Sequence, residues 1–294
     1  MVKQLVFYTD PKIPSGGFAD RITGMASLRK LAKYTSVDFK IHFKEPFNFF
    51  EVFPDKRVDA EFETDLFLKD KCRVVHFNLI DENFQKNINY LGNELTKNND
   101  IIAFVSINNI KPFAYNILLD SFFSLNYNQS DYDFIERSLL MNFGLEYLAP
   151  DYSKFDDAFL NLMPEFEARV LGLQIRVGGA NSNWTDPKFL VPDVKSIISK
   201  ITEISDLFDK IFICSDDLKI KNELIIELSK SFEIFQYENT PLHIDRSASN
   251  KQNFISNSIG DHCFLRLCRA GVIIGGGGYG RTAAILSSSP YFRV

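Results

Sequence analysis

A glycine-rich segment near the end of the sequence has the composition of a phosphate-binding turn. An apolar run over residues 271–274 meets four consecutive glycines, then Tyr279, Gly280 and Arg281, and then an Ala/Leu stretch typical of a helix. A strand, a glycine turn and a helix N-terminus expose backbone N–H groups and the positive end of the helix dipole, which attract anions. Arg281 at the helix start would add a guanidinium. The structural alternative is a tight turn that needs glycine for its positive φ angles.

The same segment formally fits the dinucleotide fingerprint G-x-G-x-x-G, through Gly275, Gly277 and Gly280. That fingerprint needs an acidic residue about 20 residues further on, where it binds the ribose. Only fourteen residues follow Gly280, and none of them is acidic. An NAD-binding oxidoreductase is therefore kept only as an alternative.

Other polar residues stand where predicted strands end. Arg176 follows "LGLQI", and Asp216 and Asp217 follow "KIFICS". Asp261 stands at the predicted start of the helix "HCFLRLCRA". Ligands of open α/β sheets bind at the carboxyl ends of the strands, so these side chains are candidates to meet near the terminal glycines. The alternatives are an ordinary salt-bridged arginine and acids that cap helices.

The elements that position these residues alternate between strands and helices. The first unit, over residues 3–42, reads as strand, glycine- and proline-containing loop, helix and strand, which favours a parallel sheet. After residue 160 the alternation becomes regular. The sequence therefore predicts an α/β protein with two Rossmann-like domains facing a cleft, divided into residues 1–160 and 161–294.

Composition excludes several classes of protein. The 294 residues carry a formal net charge of -5, which argues against a nucleic-acid partner, and the 29 phenylalanines are expected in cores. No C-x-x-C pair is present, and no segment approaches the ~20 apolar residues of a membrane span. We expect a cytoplasmic protein with no membrane span.

Four motifs, in order along most of the chain, resemble the fucosyltransferase-like glycosyltransferases of the α1,2-, α1,6- and protein O-fucosyltransferase type. They are "GGFADRITGM", "GLQIRVGG", "FICSDD" and "DHCFLRLCRAGVIIGGGGYGRTAAILSS". The resemblance implies a GT-B-like fold, with residues 1–160 on the acceptor side and residues 161–294 binding the sugar nucleotide. It also implies inverting transfer to a glycan hydroxyl without a metal, and no cofactor beyond the nucleotide-sugar donor. No D-x-D motif stands in a plausible metal context.

The resemblance also implies roles for individual residues. Arg176 matches an arginine that contacts the β-phosphate, and the segment from Gly276 to Gly280 matches one that cradles the diphosphate. Asp261 matches an acid that accepts hydrogen bonds from the base, and Asp217 an acid near the nucleotide. The expected donor-binding set is Gly16, Gly17, Arg21, Gln174, Arg176, Asp217, Asp261, Gly276, Gly277, Gly278, Tyr279, Gly280 and Arg281.

The mid-chain motif departs from the His-x-Arg-x-x-Asp pattern of that family. Gln174 replaces the histidine and Gly179 replaces the acid, whereas Arg176 is retained. The histidine helps to place guanine in relatives. GDP-fucose is thus the favoured donor and a UDP-sugar such as UDP-xylose the alternative. A nucleotide- or glycan-binding protein that has lost transfer activity is a further alternative.

The acceptor hydroxyl must lose a proton, for which a carboxylate or a histidine is suited. Asp20, in "SGGFADR" after the first strand, is the predicted catalytic base, although it could instead cap the first helix. His243 and Asp245 are second candidates. His42 and His76 are expected to be buried, and Trp184 could stack on a sugar.

Overall fold

The chain forms two compact units, Met1–Asp151 and Tyr152–Val294. The computed structural model describes residues 3–9, 17–54, 73–78, 93, 101–106, 137–178, 193–238 and 254–294, with gaps at 139 and 146. The sequence-based boundary between residues 160 and 161 falls inside the second unit. Phe159 stacks on Phe264 of that unit with ring centroids 4.0 Å apart, which ties residues 152–160 to it.

The first unit contains a four-stranded parallel sheet in the order β2-β1-β4-β3. Its strands are β1 (Lys3–Tyr8), β2 (Asp38–His42), β3 (Arg73–Asn78) and β4 (Ile101–Ser106). Helix α1 (Phe18–Thr35) connects β1 to β2, as the sequence predicted, and α2 (Phe49–Val52) is a single turn. Ile22, Met25 and Leu28 of α1 are fully buried, because their spacing places them on one face.

The second unit is built on a five-stranded parallel sheet in the order β7-β6-β5-β8-β9. The strands are β5 (Val170–Ile175), β6 (Lys210–Ser215), β7 (Glu233–Phe235), β8 (Gly271–Gly275) and β9 (Tyr291–Arg293). The helices are α3 (Asp157–Leu162), α4 (Val194–Glu203), α5 (Leu218–Leu228), α6 (Phe254–Leu267) and α7 (Tyr279–Leu286). Short 3-10 turns lie at Tyr152–Lys154, Met163–Glu167 and Ser205–Leu207.

Both faces of this sheet are covered, which explains why its central strands are almost continuously apolar. Leu173 on β5 belongs to a core with Ile197 of α4 and Leu224 of α5. On the opposite face Gly172 faces α6 so closely that a Cβ atom there would lie 2.9 Å from Leu265 Cδ2. Phe264 of the same helix completes that face.

The strand order reverses next to β5. The chain runs outward from β5 through β6 to β7, and later returns to the other side of β5 with β8 and β9. Such a reversal leaves a crevice beyond the carboxyl ends of the two strands that flank it, which is where open α/β sheets bind ligands. Here those strands are β5 and β8, which end at Ile175 and Gly275.

Two features of this unit differ from the sequence-based expectation. Helix α6 begins at Phe254, so Asp261 lies in the helix interior and the prediction that it starts the helix is wrong. Gly260 hid the helical pattern, yet it is needed there because a Cβ atom would lie 2.9 Å from the Tyr237 ring. The terminal strand β9 was not predicted, since three residues carry too little periodicity.

Candidate functional site

Arg176 is the first residue after β5, at the point where the strand order reverses. Its backbone N–H donates to Gly275 O at the end of β8, at 2.7 Å, so the two strand ends are joined directly. Its side chain keeps 20% of its surface exposed. The structure therefore places Arg176 beside the crevice, with part of its side chain exposed.

The glycine loop between β8 and α7 lies against the arginine. Gly276 and Gly277 have φ angles of 88° and 71°, a region that favours glycine. A Cβ atom on Gly277 would lie 3.0 Å from Arg176 Cδ, so the arginine stem packs on the bare backbone of the loop. Gly278 is the N-cap of α7 and has no side chain to cap the helix. The arginine stem thus lies against the loop that leads into α7.

Gln174 lies beneath this loop rather than at its surface. Its side chain is buried, and the Gln174 amide, oriented so that both of its polar atoms have partners, donates to Gly276 O at 3.2 Å. The amide oxygen accepts from the Arg176 N–H at 3.3 Å. A Cβ atom on Gly280 would meet the same amide at 2.9 Å. Gln174 therefore supports the loop and the arginine backbone; its predicted contact with the donor stays a prediction.

Asp216, the residue after β6, was considered in the sequence but was not included in the predicted site. Its carboxylate accepts from Val177 N at 2.7 Å and from Gly178 N at 3.0 Å. The same carboxylate lies 3.8 Å from Arg176 Nη1, with 10% of the side chain exposed. The adjacency of β5 and β6 was the signal that could have identified the contact between Asp216 and Arg176, because neighbouring parallel strands bring the residues that follow them together.

Asp217, which the resemblance implied to lie near the nucleotide, is the N-cap of α5. Its Oδ1 accepts from Lys219 N at 2.8 Å and from Ile220 N at 3.0 Å. These are the first amides of the helix, which have no partner within it. The structure thus gives Asp217 the helix-capping role that the sequence left open, and its contact with a nucleotide stays a prediction.

Asp261 of α6 acts electrostatically on Cys214 of β6 and on Tyr279 of α7. Burial raises the pKa of Cys214 on β6, and the nearby Asp261 carboxylate raises it further. The pKa of Tyr279 is also raised by burial first and by Asp261 second. The carboxylate is therefore near Cys214 and Tyr279, and 9% of the residue is exposed. Its predicted contact with a nucleotide base stays a prediction.

A hydrogen-bonded cluster joins α6 to the first turn of α7. The Tyr279 hydroxyl accepts from His262 N at 2.9 Å, and the two rings meet edge to face. The Thr282 hydroxyl donates to Tyr279 O at 2.9 Å, so it accepts from His262 Nε2 at 3.1 Å. Burial lowers the pKa of His262 well below its ordinary value, which keeps the ring neutral at pH 7. Arg281 is the third residue of α7 and is half-buried.

In the first unit, three of the predicted site residues lie at the start of α1. The Asp20 carboxylate accepts from Gly17 N at 3.0 Å, which caps the helix. Arg21 is 3% exposed; its Nη1 donates to Glu45 O at 3.0 Å and its guanidinium lies 4.8 Å from the centre of the Phe43 ring. Arg21 thus holds the segment after β2, and its contact with a donor stays a prediction.

Four candidates lie outside the described residues, namely Gly16, Trp184, His243 and Asp245, as does Gly179, which replaces the acid of the family motif. His42 is half-buried and stacks on Tyr8 with ring centroids 5.3 Å apart. Among the described residues, no group of three or more His, Cys, Asp or Glu side chains could hold a metal ion. Within the same part of the chain, no helix is long and apolar enough to cross a membrane.

Comparison by sequence identifies no relative, since no family model and no curated protein matches the chain. Comparison by structure identifies several similar proteins. Fucosyltransferase FUT1 of Arabidopsis thaliana, in an arginine-to-lysine variant in complex with GDP, superposes with a TM-score of 0.63 at 12% identity. The match covers 100% of this chain and 70% of that one.

Two further fucosyltransferase structures match over nearly their whole length. NodZ from Bradyrhizobium has a TM-score of 0.52 at 12% identity, covering 97% of this chain and 94% of that one. POFUT1 in complex with GDP has a TM-score of 0.51 at 11% identity, covering 99% and 98%. These similarities confirm the α/β, GT-B-like fold that the motif resemblance implied.

Proposed function

We propose that this chain, which has the fold of the fucosyltransferases, is a glycosyltransferase that moves a sugar from a nucleotide-diphosphate donor to a glycan hydroxyl. The observation that carries the proposal is the packing of the Arg176 stem on Gly277: a Cβ atom on Gly277 would lie 3.0 Å from Arg176 Cδ. A cation and the backbone of a glycine loop that leads into a helix meet there, at a reversal of strand order. That combination suits a bound pyrophosphate.

The chemistry of sugar transfer needs this combination. Departure of a nucleoside diphosphate leaves positive charge on the anomeric carbon and negative charge on the leaving oxygens. Donors that are already in place when that charge develops stabilise the transition state, by ~3–4 kcal/mol for one good donor. In our proposal the Arg176 guanidinium and the amides of the glycine loop fill that role. Transfer is inverting and needs no metal ion.

GDP-fucose is the favoured donor. The solved complexes of FUT1 and POFUT1 contain GDP, and the resemblance of the motifs points to the same class of donor. A UDP-sugar such as UDP-xylose is the second candidate. The observation that favours a UDP-sugar is the position of Gln174. The Gln174 side-chain amide hydrogen-bonds to the backbone of Gly276 and Arg176, and not as a group that recognises a guanine base would.

The proposed catalytic base is Asp20, with the first unit as the acceptor side of the enzyme. The Asp20 carboxylate is partly exposed at the N-terminus of α1, so one of its oxygens caps the helix while the group as a whole stays near solvent. The ionised carboxylate is the form that accepts a proton. Glycan biosynthesis in the cytoplasm is the setting that we propose.

Ligand-induced stabilisation tests the proposed function. The full chain is heated with GDP, UDP, GDP-fucose, UDP-xylose and NAD in parallel, because a ligand that binds the folded state raises the melting temperature. We expect GDP and GDP-fucose to stabilise the wild type and to have little effect on Arg176→Ala. Stabilisation by NAD alone would contradict the proposal and favour the oxidoreductase.

Release of nucleotide from the donor separates an enzyme from a binding protein. We expect the wild type to liberate GDP from GDP-fucose, slowly with water and faster with a suitable glycan. Arg176→Ala should lose at least about 10²-fold of that rate, the usual effect of removing one donor to a developing charge. A wild-type protein that binds GDP-fucose and never releases GDP would be a non-catalytic binder.

A further inference from the structure

Asp216 is an acidic residue that contacts both Arg176 and the backbone that follows it. It follows β6, and its Oδ1 and Oδ2 accept from the amides of Val177 and Gly178, at 2.7 and 3.0 Å. Gly178 has a φ of 80°, so the backbone after Arg176 turns sharply at this carboxylate. Asp216 therefore fixes the course of the chain immediately beyond the arginine.

The same carboxylate acts on the arginine side chain. The Arg176 backbone is held by Gly275 O at 2.7 Å, and its stem rests on Gly277. Those two contacts act on the backbone and the stem, whereas Asp216 acts on the guanidinium at the end of the side chain. Asp216 Oδ2 lies 3.8 Å from Nη1, too far for a hydrogen bond but close enough for a strong electrostatic attraction.

We propose that Asp216 is a positioning residue that both orients Arg176 and limits how tightly the site holds a nucleoside diphosphate. The inference rests on the proposed function, because it presumes that Arg176 meets a diphosphate. A negative carboxylate beside the guanidinium offsets part of the charge that attracts the ligand. It also repels the pyrophosphate, whose charge is of the same sign. An enzyme gains from this arrangement, because the product must leave after each transfer.

A purely structural role predicts a different pattern. If Asp216 only held the turn at Val177 and Gly178, its loss would loosen the site, and both ligand affinity and turnover would fall. If it also opposes the ligand electrostatically, its loss makes nucleoside diphosphates bind more tightly while turnover falls. The opposite signs of the two effects distinguish the roles.

The test compares the full-length wild type with Asp216→Asn, which removes the charge, keeps the size of the side chain and retains one of the two acceptor oxygens. GDP and UDP are titrated calorimetrically at low and high salt, and nucleotide release from GDP-fucose and UDP-xylose is followed under the same conditions. We expect GDP or UDP to bind Asp216→Asn about fivefold more tightly at low salt, with a smaller difference at high salt. Nucleotide release should be about tenfold slower, because the guanidinium is misoriented.

Asp209→Asn is the matched control. Asp209 also accepts from an arginine: from the Arg169 side chain at 2.8 Å and from the Arg169 backbone N–H at 3.2 Å. Asp209 precedes β6, whereas Asp216 follows it, so the two acids lie at opposite ends of the strand. The control changes the net charge by the same amount and should leave affinity and turnover unaltered. Equal tightening in both variants would mean that only the overall charge matters, which would overturn the inference.

A second variant keeps the test decisive if Asp216→Asn is poorly folded. Asp216→Glu keeps the charge and shifts it by one methylene group, so GDP affinity should stay close to that of the wild type while nucleotide release slows. Weaker binding of GDP and UDP by a folded Asp216→Asn or Asp216→Glu would refute the inference and leave the proposed function standing. A wild type that binds neither GDP nor UDP would refute the proposed function itself.

Discussion

Substitution of Gly277 by alanine tests the contact on which the proposed pyrophosphate site depends. Gly277 has a φ of 71°, and a Cβ atom there would lie 3.0 Å from Arg176 Cδ. Gly277→Ala therefore strains the backbone and pushes the arginine stem away from the loop. The substitution leaves every polar group of the site chemically intact, so its effect reports on position alone.

The two consequences have different sizes. A non-glycine residue in the left-handed region costs about 1–2 kcal/mol. Replacing glycine also restricts the unfolded chain, which stabilises the folded state by about 0.4–1 kcal/mol. The net loss of folding free energy is therefore about 1 kcal/mol. The melting temperature should fall by roughly 2–4 °C. Carbon atoms prefer about 3.5–4.0 Å, so the stem must shift by about half an ångström, and the guanidinium at its end by more.

The expected functional loss is larger than the loss of stability. A charge-assisted hydrogen bond contributes about 1.5–3 kcal/mol, so GDP should bind Gly277→Ala about tenfold or more weakly. Calorimetric titration of GDP and thermal unfolding measure the two effects. Gly278→Ala is the control for stability: Gly278 has φ -93° and ψ -12°, angles that alanine adopts without strain, so this substitution should destabilise the protein less than Gly277→Ala. A folded Gly277→Ala with wild-type GDP affinity would refute the proposed packing of arginine on glycine.

Three further predictions concern other parts of the site. Asp217→Ala should destabilise the protein by about 1 kcal/mol through the lost cap on α5, measured by urea unfolding, and an unchanged midpoint would contradict that role. Asp20→Asn should retain GDP binding and lose most of the transfer rate; full activity would remove Asp20 as the base. Treatment with EDTA should leave nucleotide release unchanged, whereas a loss restored by Mg²⁺ or Mn²⁺ would show that a metal ion takes part.

The sequence was most informative about residues whose type indicates a particular conformation or position in the fold. Glycine at positive φ and an arginine directly after an apolar strand predicted the joined strand ends, and the structure brings Arg176 against Gly277. It was less informative about the acids. Asp216 and Asp217 are adjacent and chemically identical in the sequence, yet one meets Arg176 and the other caps α5. Only the positions of β5 and β6 in the sheet separate their roles.

Burial was the second property that the sequence did not reveal. Arg21 and Gln174 were predicted to contact a donor, since Arg21 stands beside Asp20 and Gln174 occupies the position of the base-placing histidine of relatives. In the structure Arg21 is 3% exposed and Gln174 is 4% exposed, because each satisfies backbone groups that would otherwise be buried alone. Asp261 was placed at a helix start because Gly260 interrupts the helical pattern, although that glycine is needed to pack against Tyr237.

The most direct measurement is a calorimetric titration of GDP and UDP into the wild type and Arg176→Ala at equal ionic strength. We expect the wild type to bind at least one of them, and Arg176→Ala to bind it at least about tenfold more weakly while its unfolding temperature is preserved. Equal affinity of the two folded proteins for that nucleotide, or the absence of binding by the wild type, would contradict the claim that Arg176 and the glycine loop hold a pyrophosphate.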